Sequence, residues 1–132
     1  MNDTRNLIGR LLLAQIFLIS GIAKLGSWAG TQGYMEAMGV PGALLAAVVA
    51  LEVLGSLALA LGLFTRWTAA ALAGFSLLTA LLFHTGLADQ NQLIHFMKNL
   101  AMAGGLIFVW LHGAGRFSLD SRLRKAAQPA HT

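Results

Sequence analysis

The chain has 132 residues, of which 57% are hydrophobic and only 11% are charged, and its formal net charge is +4 at neutral pH. This composition excludes an ordinary soluble domain and is typical of an integral membrane protein. Because the sequence contains no cysteine, disulfides, thiolate metal sites and dithiol redox relays are excluded for this chain acting alone.

Four apolar stretches divide the chain, each near the ~20 residues that cross a bilayer as a helix. They predict an all-α, antiparallel bundle of four transmembrane helices, in a single domain 1–132 with a basic tail 113–132. Arg5 and Arg10 before the first apolar run would also suit a cleaved signal peptide. Lys24 stands where a small-residue cleavage site should lie, so we interpret this run as helix one. The predicted spans are 7–25, 42–64, 67–87 and 93–112.

The segment 26–41 between the first two helices contains aromatic and methionine residues that could form an apolar edge at the membrane surface. We predict a short interfacial or re-entrant helix here, with Pro41 starting the second span at a position that proline favours. A plain loop with an aromatic anchor is the alternative. The apolar edge consists of Trp28, Tyr34, Met35 and Met38.

The distribution of basic residues predicts how the bundle is oriented in the membrane. Seven fall on one side of the predicted bundle, while the loops 26–41 and 88–92 on the other side contain neither Lys nor Arg. The positive-inside rule then places both termini in the cytoplasm, which for a bacterial protein means the inner membrane. The scattered charges match no nucleic-acid-binding motif, so no nucleic-acid partner is expected. The seven are Arg5, Arg10, Arg66, Arg116, Arg122, Arg124 and Lys125.

Ionisable residues in the outer half of the bundle form the predicted site. Glu52 lies near the middle of the second span, and Lys24 ends the first span above it. Helical side chains tilt toward their own N-terminus, so Lys24 and Glu52 lean toward each other on antiparallel helices. Lys98 in the fourth span is the next partner for Glu52, and His84 near the outer end of the third completes the set. Ionisable groups in lipid are expensive and usually functional, so we expect them to face inward.

Each of these residues has a structural explanation as well. Lys24 could extend to the lipid headgroups, and His84 could be an interfacial aromatic residue. Asn99 could pair with a neighbouring backbone carbonyl. His95, on the outer rim of the fourth span, is a weaker candidate, and we assign no role to His112 or His131.

Four motifs together resemble the DoxX family of small four-helix membrane proteins, over about residues 7 to 122. They are FLISGIAKL, LEVLGSLALALGLFTRWTA, FMKNLAMAGGL and GAGRFSLD. The last has Gly-Ala-Gly where such proteins often have Gly-Pro-Gly. The family is similar to the DoxD-type subunit of a thiosulfate:quinone oxidoreductase, and its members are associated with membrane redox or stress-protection complexes. By motif, the resemblance assigns Lys24, Glu52, Lys98 and Asn99 to a shared polar site.

Three functions fit the sequence. As an oxidoreductase subunit, the protein would bind a quinone, with Lys24 or Lys98 stabilising a developing oxyanion and Glu52 and His84 relaying protons. The sequence leaves the electron donor open: the chain has no flavin, haem or iron–sulfur motif, so redox work would need a bound cofactor or a partner redox protein. As a scaffold, it would use the polar set only to align its helices. As a solute or proton carrier with Glu52 as the carrier group, it would need to form a homo-oligomer. A haem between His84 and His95 is a remote fourth option.

Overall fold

The computed structural model describes residues 2–130, which form six α-helices and no strand. Four of these helices are long and apolar enough to cross a membrane. Their bounds are α1 Asn2–Gly26, α3 Leu45–Leu61, α4 Thr65–Phe83 and α5 Gln90–His112, with the short helices α2 Trp28–Ala37 and α6 Leu119–Ala127 between and after them. The predicted all-α membrane fold with four transmembrane helices is confirmed.

The four long helices form a closed ring in which α1 packs on α3, α3 on α4, α4 on α5 and α5 on α1. Small residues from these helices make up much of the main core, which lets the backbones approach closely. This core consists of Ala14, Phe17, Leu59, Ala69, Leu72, Ala73, Ala103 and Leu106. Large apolar side chains such as Leu12, Leu54 and Phe108 point outward, as expected of surfaces that face lipid.

Helix α2 follows α1 after a break at Ser27 and lies against the start of α3. The segment 26–41 therefore contains a helix and is not the plain loop that was the alternative. The position of this helix at the membrane surface stays a prediction. Met35 departs from the expected outward edge, because it is buried against Leu45 and Val49. Pro41 precedes a single 3₁₀ turn at Gly42–Leu44, so the second span begins with that turn before α3.

Most helix ends differ from the predicted spans by a few residues, and the sequence also missed one short helix. Helix α4 ends at Phe83, so His84 caps the helix in the connecting loop instead of lying inside it. The basic tail 113–132, for which no helix was predicted, contains α6. This helix begins after Ser118, whose side chain accepts a hydrogen bond from the Ser121 amide at 3.2 Å. Below, the end of the bundle with residue 2, the α3–α4 turn and α6 is called the terminal end. The end with α2 and the α4–α5 loop is the loop end.

Candidate functional site

The central polar contact joins α1 to α3. The Lys24 ammonium donates to both carboxylate oxygens of Glu52 at 2.9 Å and to the Ser20 hydroxyl at 2.7 Å. Ser20 also donates to Glu52 Oε1 at 3.3 Å. The Glu52 side chain is 4% exposed and that of Lys24 is 25% exposed, so the ion pair is largely withdrawn from the surface. Charge-assisted bonds of this kind are stronger than neutral ones.

Gly21 explains why these helices approach closely enough for the contact. A Cβ added to Gly21 would lie 2.8 Å from Val53 Cγ2 and 3.1 Å from Glu52 Cβ. Only glycine fits this approach without a shift of the Val53 side chain or of the two helices. The Lys24–Glu52 contact therefore lies one turn from the close approach of α1 to α3 at Gly21.

A cavity of about 350 Å³ lies beside this ion pair at the loop end. All five predicted site residues line it: Lys24, Glu52, His84, Lys98 and Asn99. Its apolar wall includes Phe17, Phe75 and Phe83, and Tyr34 of α2 stacks on Phe83 with ring centroids 5.5 Å apart. The cavity thus combines aromatic surface with a few polar groups, as small-molecule sites usually do.

Lys98 lines the cavity but forms no ion pair with Glu52. Within residues 2–130 it has no carboxylate within 4.0 Å, so the secondary pairing with Glu52 is absent. Helix α5 begins at Gln90, three residues before the predicted start at 93, so the missing pair is not explained by a shorter helix. The Lys98 side chain leans toward the loop end, because it tilts toward the N-terminus of α5.

Asn99 is buried and donates to the His95 carbonyl at 2.9 Å within its own helix. The expected backbone pairing is therefore present, but it does not connect two helices. In the described part of the chain the amide oxygen of Asn99 has no hydrogen-bond donor. This oxygen is available to a ligand hydroxyl group.

His84 and His95 stack with ring centroids 5.1 Å apart and an interplanar angle of 25°. His84 Nδ1 lies 2.9 Å from Gln92 Oε1, so the tautomer that donates through Nδ1 suits this contact and has Nε2 as an acceptor. Stacked rings turn their faces to each other, which does not suit two axial ligands of one haem. No group of three or more metal-ligating side chains occurs within residues 2–130.

Comparison with known proteins identifies the family of the chain that carries this site. The family model described as DoxX matches residues 6–85, which include Lys24, Glu52 and His84. The chain belongs to the DoxX family. The resemblance identified from the four sequence motifs is thus confirmed.

Two relatives of this DoxX protein are inner membrane proteins of Escherichia coli strain K12. Inner membrane protein YqjF is 45% identical over 125 residues, covering 95% of this chain and 96% of the relative. Inner membrane protein YphA is 37% identical over 123 residues, covering 88% of each chain. No solved structure matches this chain.

A second polar network of this DoxX protein lies at the terminal end, where the sequence suggested only orientation charges. Arg10 is fully buried. It donates to Asn6 Oδ1 at 2.8 Å, to the carbonyls of Leu59 and Ala60 at 3.1 and 2.9 Å, and to the Phe117 carbonyl. Both α3 carbonyls lie in the last turn of the helix, where intrahelical donors run out, although that of Leu59 also accepts from the Gly62 amide at 3.2 Å. Arg10 therefore ties α1 to the end of α3 and to the segment before α6.

Asp120 is the second connection. Its carboxylate accepts from the Phe64 amide at 2.7 Å and from the Thr65 amide and hydroxyl at 2.9 and 2.6 Å. Desolvation raises the pKa of Asp120, but the Thr65 and Phe64 hydrogen bonds and the Arg124 charge outweigh it, so the pKa lies below the ordinary value. The Ser-Leu-Asp sequence at the start of α6, with Ser118 as the N-cap, is the available signal, since Ser is a strong N-cap.

Proposed function

We propose that this DoxX protein is a membrane oxidoreductase subunit that binds a quinone or a similar small ring in the cavity at the loop end. The observation that supports this most is the meeting of all five predicted polar residues on one cavity with an aromatic wall. A volume of about 350 Å³ falls within the range of small-molecule sites. A quinone head group needs apolar contact for its ring and hydrogen bonds for its two oxygens, and both are present.

Three residues supply the polar contacts. Lys98 is a hydrogen-bond donor with no carboxylate partner in residues 2–130, so it is suited to a quinone oxygen. The Asn99 oxygen can accept from the hydroxyl of a quinol. His84 Nε2 can accept or release a proton while Gln92 holds the other ring nitrogen. We assign the oxyanion-stabilising role to Lys98, because Lys24 is already paired with Glu52.

Conversion of a quinone to a quinol takes two electrons and two protons. In this proposal the protons pass through His84 and Glu52, and the electrons come from a partner redox protein in the same membrane. The chain itself contributes ring binding, orientation and proton transfer at the quinone oxygens.

The scaffold function is favoured by a separate observation. Both Glu52 oxygens are occupied by Lys24, and Ser20 adds a further bond, so this pair is already closed between α1 and α3. Closed buried pairs can specify an arrangement of helices while adding little stability. A non-catalytic subunit of a redox or stress-protection complex would need nothing more from these residues.

We also propose an inner-membrane location with both termini in the cytoplasm. The names of the two relatives support the membrane, and the distribution of basic residues supports the orientation.

The test is a melting experiment on quinone-depleted protein in neutral detergent, with and without a short-chain ubiquinone analogue. We expect saturating quinone to raise the midpoint of the native chain by about 3 °C or more, since ligand binding stabilises the folded state. The Lys98→Met variant should lose most of this rise. Lys125→Met is the matched control, because it removes the same charge from α6 and should keep the rise. No rise in the native chain would reject quinone binding and favour the scaffold.

A further inference from the structure

A second cavity, at the terminal end, lies outside the proposed quinone site. Its volume is about 410 Å³, and it is formed where the start of α4, the end of α5 and α6 meet. The polar side chains that line it include Arg66, Arg124, His112 and Asp120, with Trp67 and Phe64 at its apolar edge.

The charges of this cavity favour an anion. Within residues 2–130, neither Arg66 nor Arg124 has a carboxylate within 4.0 Å. The one carboxylate in the lining, Asp120, directs its oxygens to the amides of Phe64 and Thr65. Two arginines against one acidic group leave an excess of one positive charge, and guanidinium groups match phosphate geometry well.

The apolar residues around the cavity indicate its depth in the membrane. Trp67 is 81% exposed and Phe64 66%, and Trp110 on the last turns of α5 is 51% exposed. Exposed tryptophans on membrane-spanning helices concentrate at the level of the lipid headgroups. Leu123 of α6, also in the lining, is 56% exposed and adds apolar surface beside Arg124.

We propose that this cavity binds the phosphate of an anionic phospholipid headgroup, with Arg66 and Arg124 as its ligands. The acyl chains would lie along Phe64 and Trp67 on the outer surface of α4. Asp120 is a positioning residue, because its hydrogen bonds hold α6, and with it Arg124, at the start of α4. A lipid fits better than a free anion because exposed aromatic and aliphatic side chains adjoin the two arginines.

Delipidated protein in neutral detergent tests this site. Native mass spectrometry would measure retention of phosphatidylglycerol and phosphatidylcholine, each added at a few equivalents in ~0.15 M salt, where long-range attraction is screened. We expect phosphatidylglycerol to bind in preference to phosphatidylcholine, and Arg66→Gln with Arg124→Gln to reduce its binding by about fivefold for each arginine. The matched control, Arg122→Gln with Lys125→Gln, removes the same charge from α6 outside the cavity and should change binding by less than about twofold.

Four outcomes would overturn the proposal. Equal retention of the two lipids would exclude recognition of an anionic headgroup. Equal losses in the two double variants would indicate diffuse attraction to a basic surface. A site for free phosphate would be indicated if millimolar inorganic phosphate displaced phosphatidylglycerol and raised the melting temperature as much as the lipid does. If the double variant fails to fold, Arg124→Gln alone is informative, and undiminished lipid binding by it would contradict the assignment.

Discussion

Glu52 balances the positive charge of Lys24 inside the bundle. Replacing it with Gln leaves the Lys24 ammonium without a carboxylate in a site that is largely closed to water. We expect Glu52→Gln to lower the free energy of unfolding by roughly 3 kcal/mol, because an uncompensated buried charge is costly. Adding Lys24→Met should recover most of the loss, as measured by thermal or denaturant unfolding in detergent. Equal damage from the single and double variants would show that the pair does not stabilise the bundle.

Asp120 gives a pH dependence at the terminal end. Its pKa is lower in the folded protein than the ordinary value, so its contribution is complete above about pH 4 and is lost as the pH falls through the folded pKa. Asp120→Asn should therefore destabilise the protein at pH 6 more than at pH 3. Melting curves at both values measure this difference. Glu36→Gln on the exposed face of α2 is the control and should leave the native pH dependence in place. A constant difference between native and Asp120→Asn protein would contradict the role of the carboxylate.

At the scale of elements, the contact between α1 and α3 depends on the missing side chain at Gly21. Gly21→Ala introduces a Cβ 2.8 Å from Val53 Cγ2 and 3.1 Å from Glu52 Cβ, so the Val53 side chain or the two helices must shift. We expect a loss of about 1–3 kcal/mol, as for other overpacked contacts. Gly74→Ala in α4 is the matched control, because no atom lies within 4 Å of the added carbon. It should be neutral or slightly stabilising. Equal melting temperatures for the two variants would contradict close packing at Gly21.

The transmembrane helices were predictable from the sequence because their apolar length is a strong signal, and only their ends shifted. The loop residues Thr85 and Gly86 follow His84 without a proline or a run of charges, so the sequence extended α4 to residue 87. Helix α6 was missed for a different reason. Its sequence has few apolar residues, and its start depends on the Ser118 cap and on Asp120, which contacts residues more than fifty positions away.

At the scale of the whole molecule, the candidate site was partly predictable. The Lys24–Glu52 contact follows from the depth and the side-chain tilt of two antiparallel helices, which the sequence contains. Two features of the site were not predictable: Lys98 has no carboxylate partner in residues 2–130, and His84 stacks on His95. Both depend on how the α4–α5 loop folds and positions α5, which no local sequence pattern specifies. The sequence predicts Arg10 only as an orientation charge, because its acceptors in the structure are mainly backbone carbonyls, which leave no signal in the sequence.

The most direct test of the proposed quinone site is photoaffinity labelling. Quinone-depleted protein would be irradiated with an azido-quinone, with and without an excess of unlabelled short-chain quinone, and the labelled peptides mapped by mass spectrometry. We predict competed labelling in the α5 segment 95–102 and the α1 segment 16–24, which face the cavity from two sides. Labelling that is not competed, or that falls on the lipid-facing surface around Leu54 and Phe108, would contradict a specific quinone site in this DoxX protein.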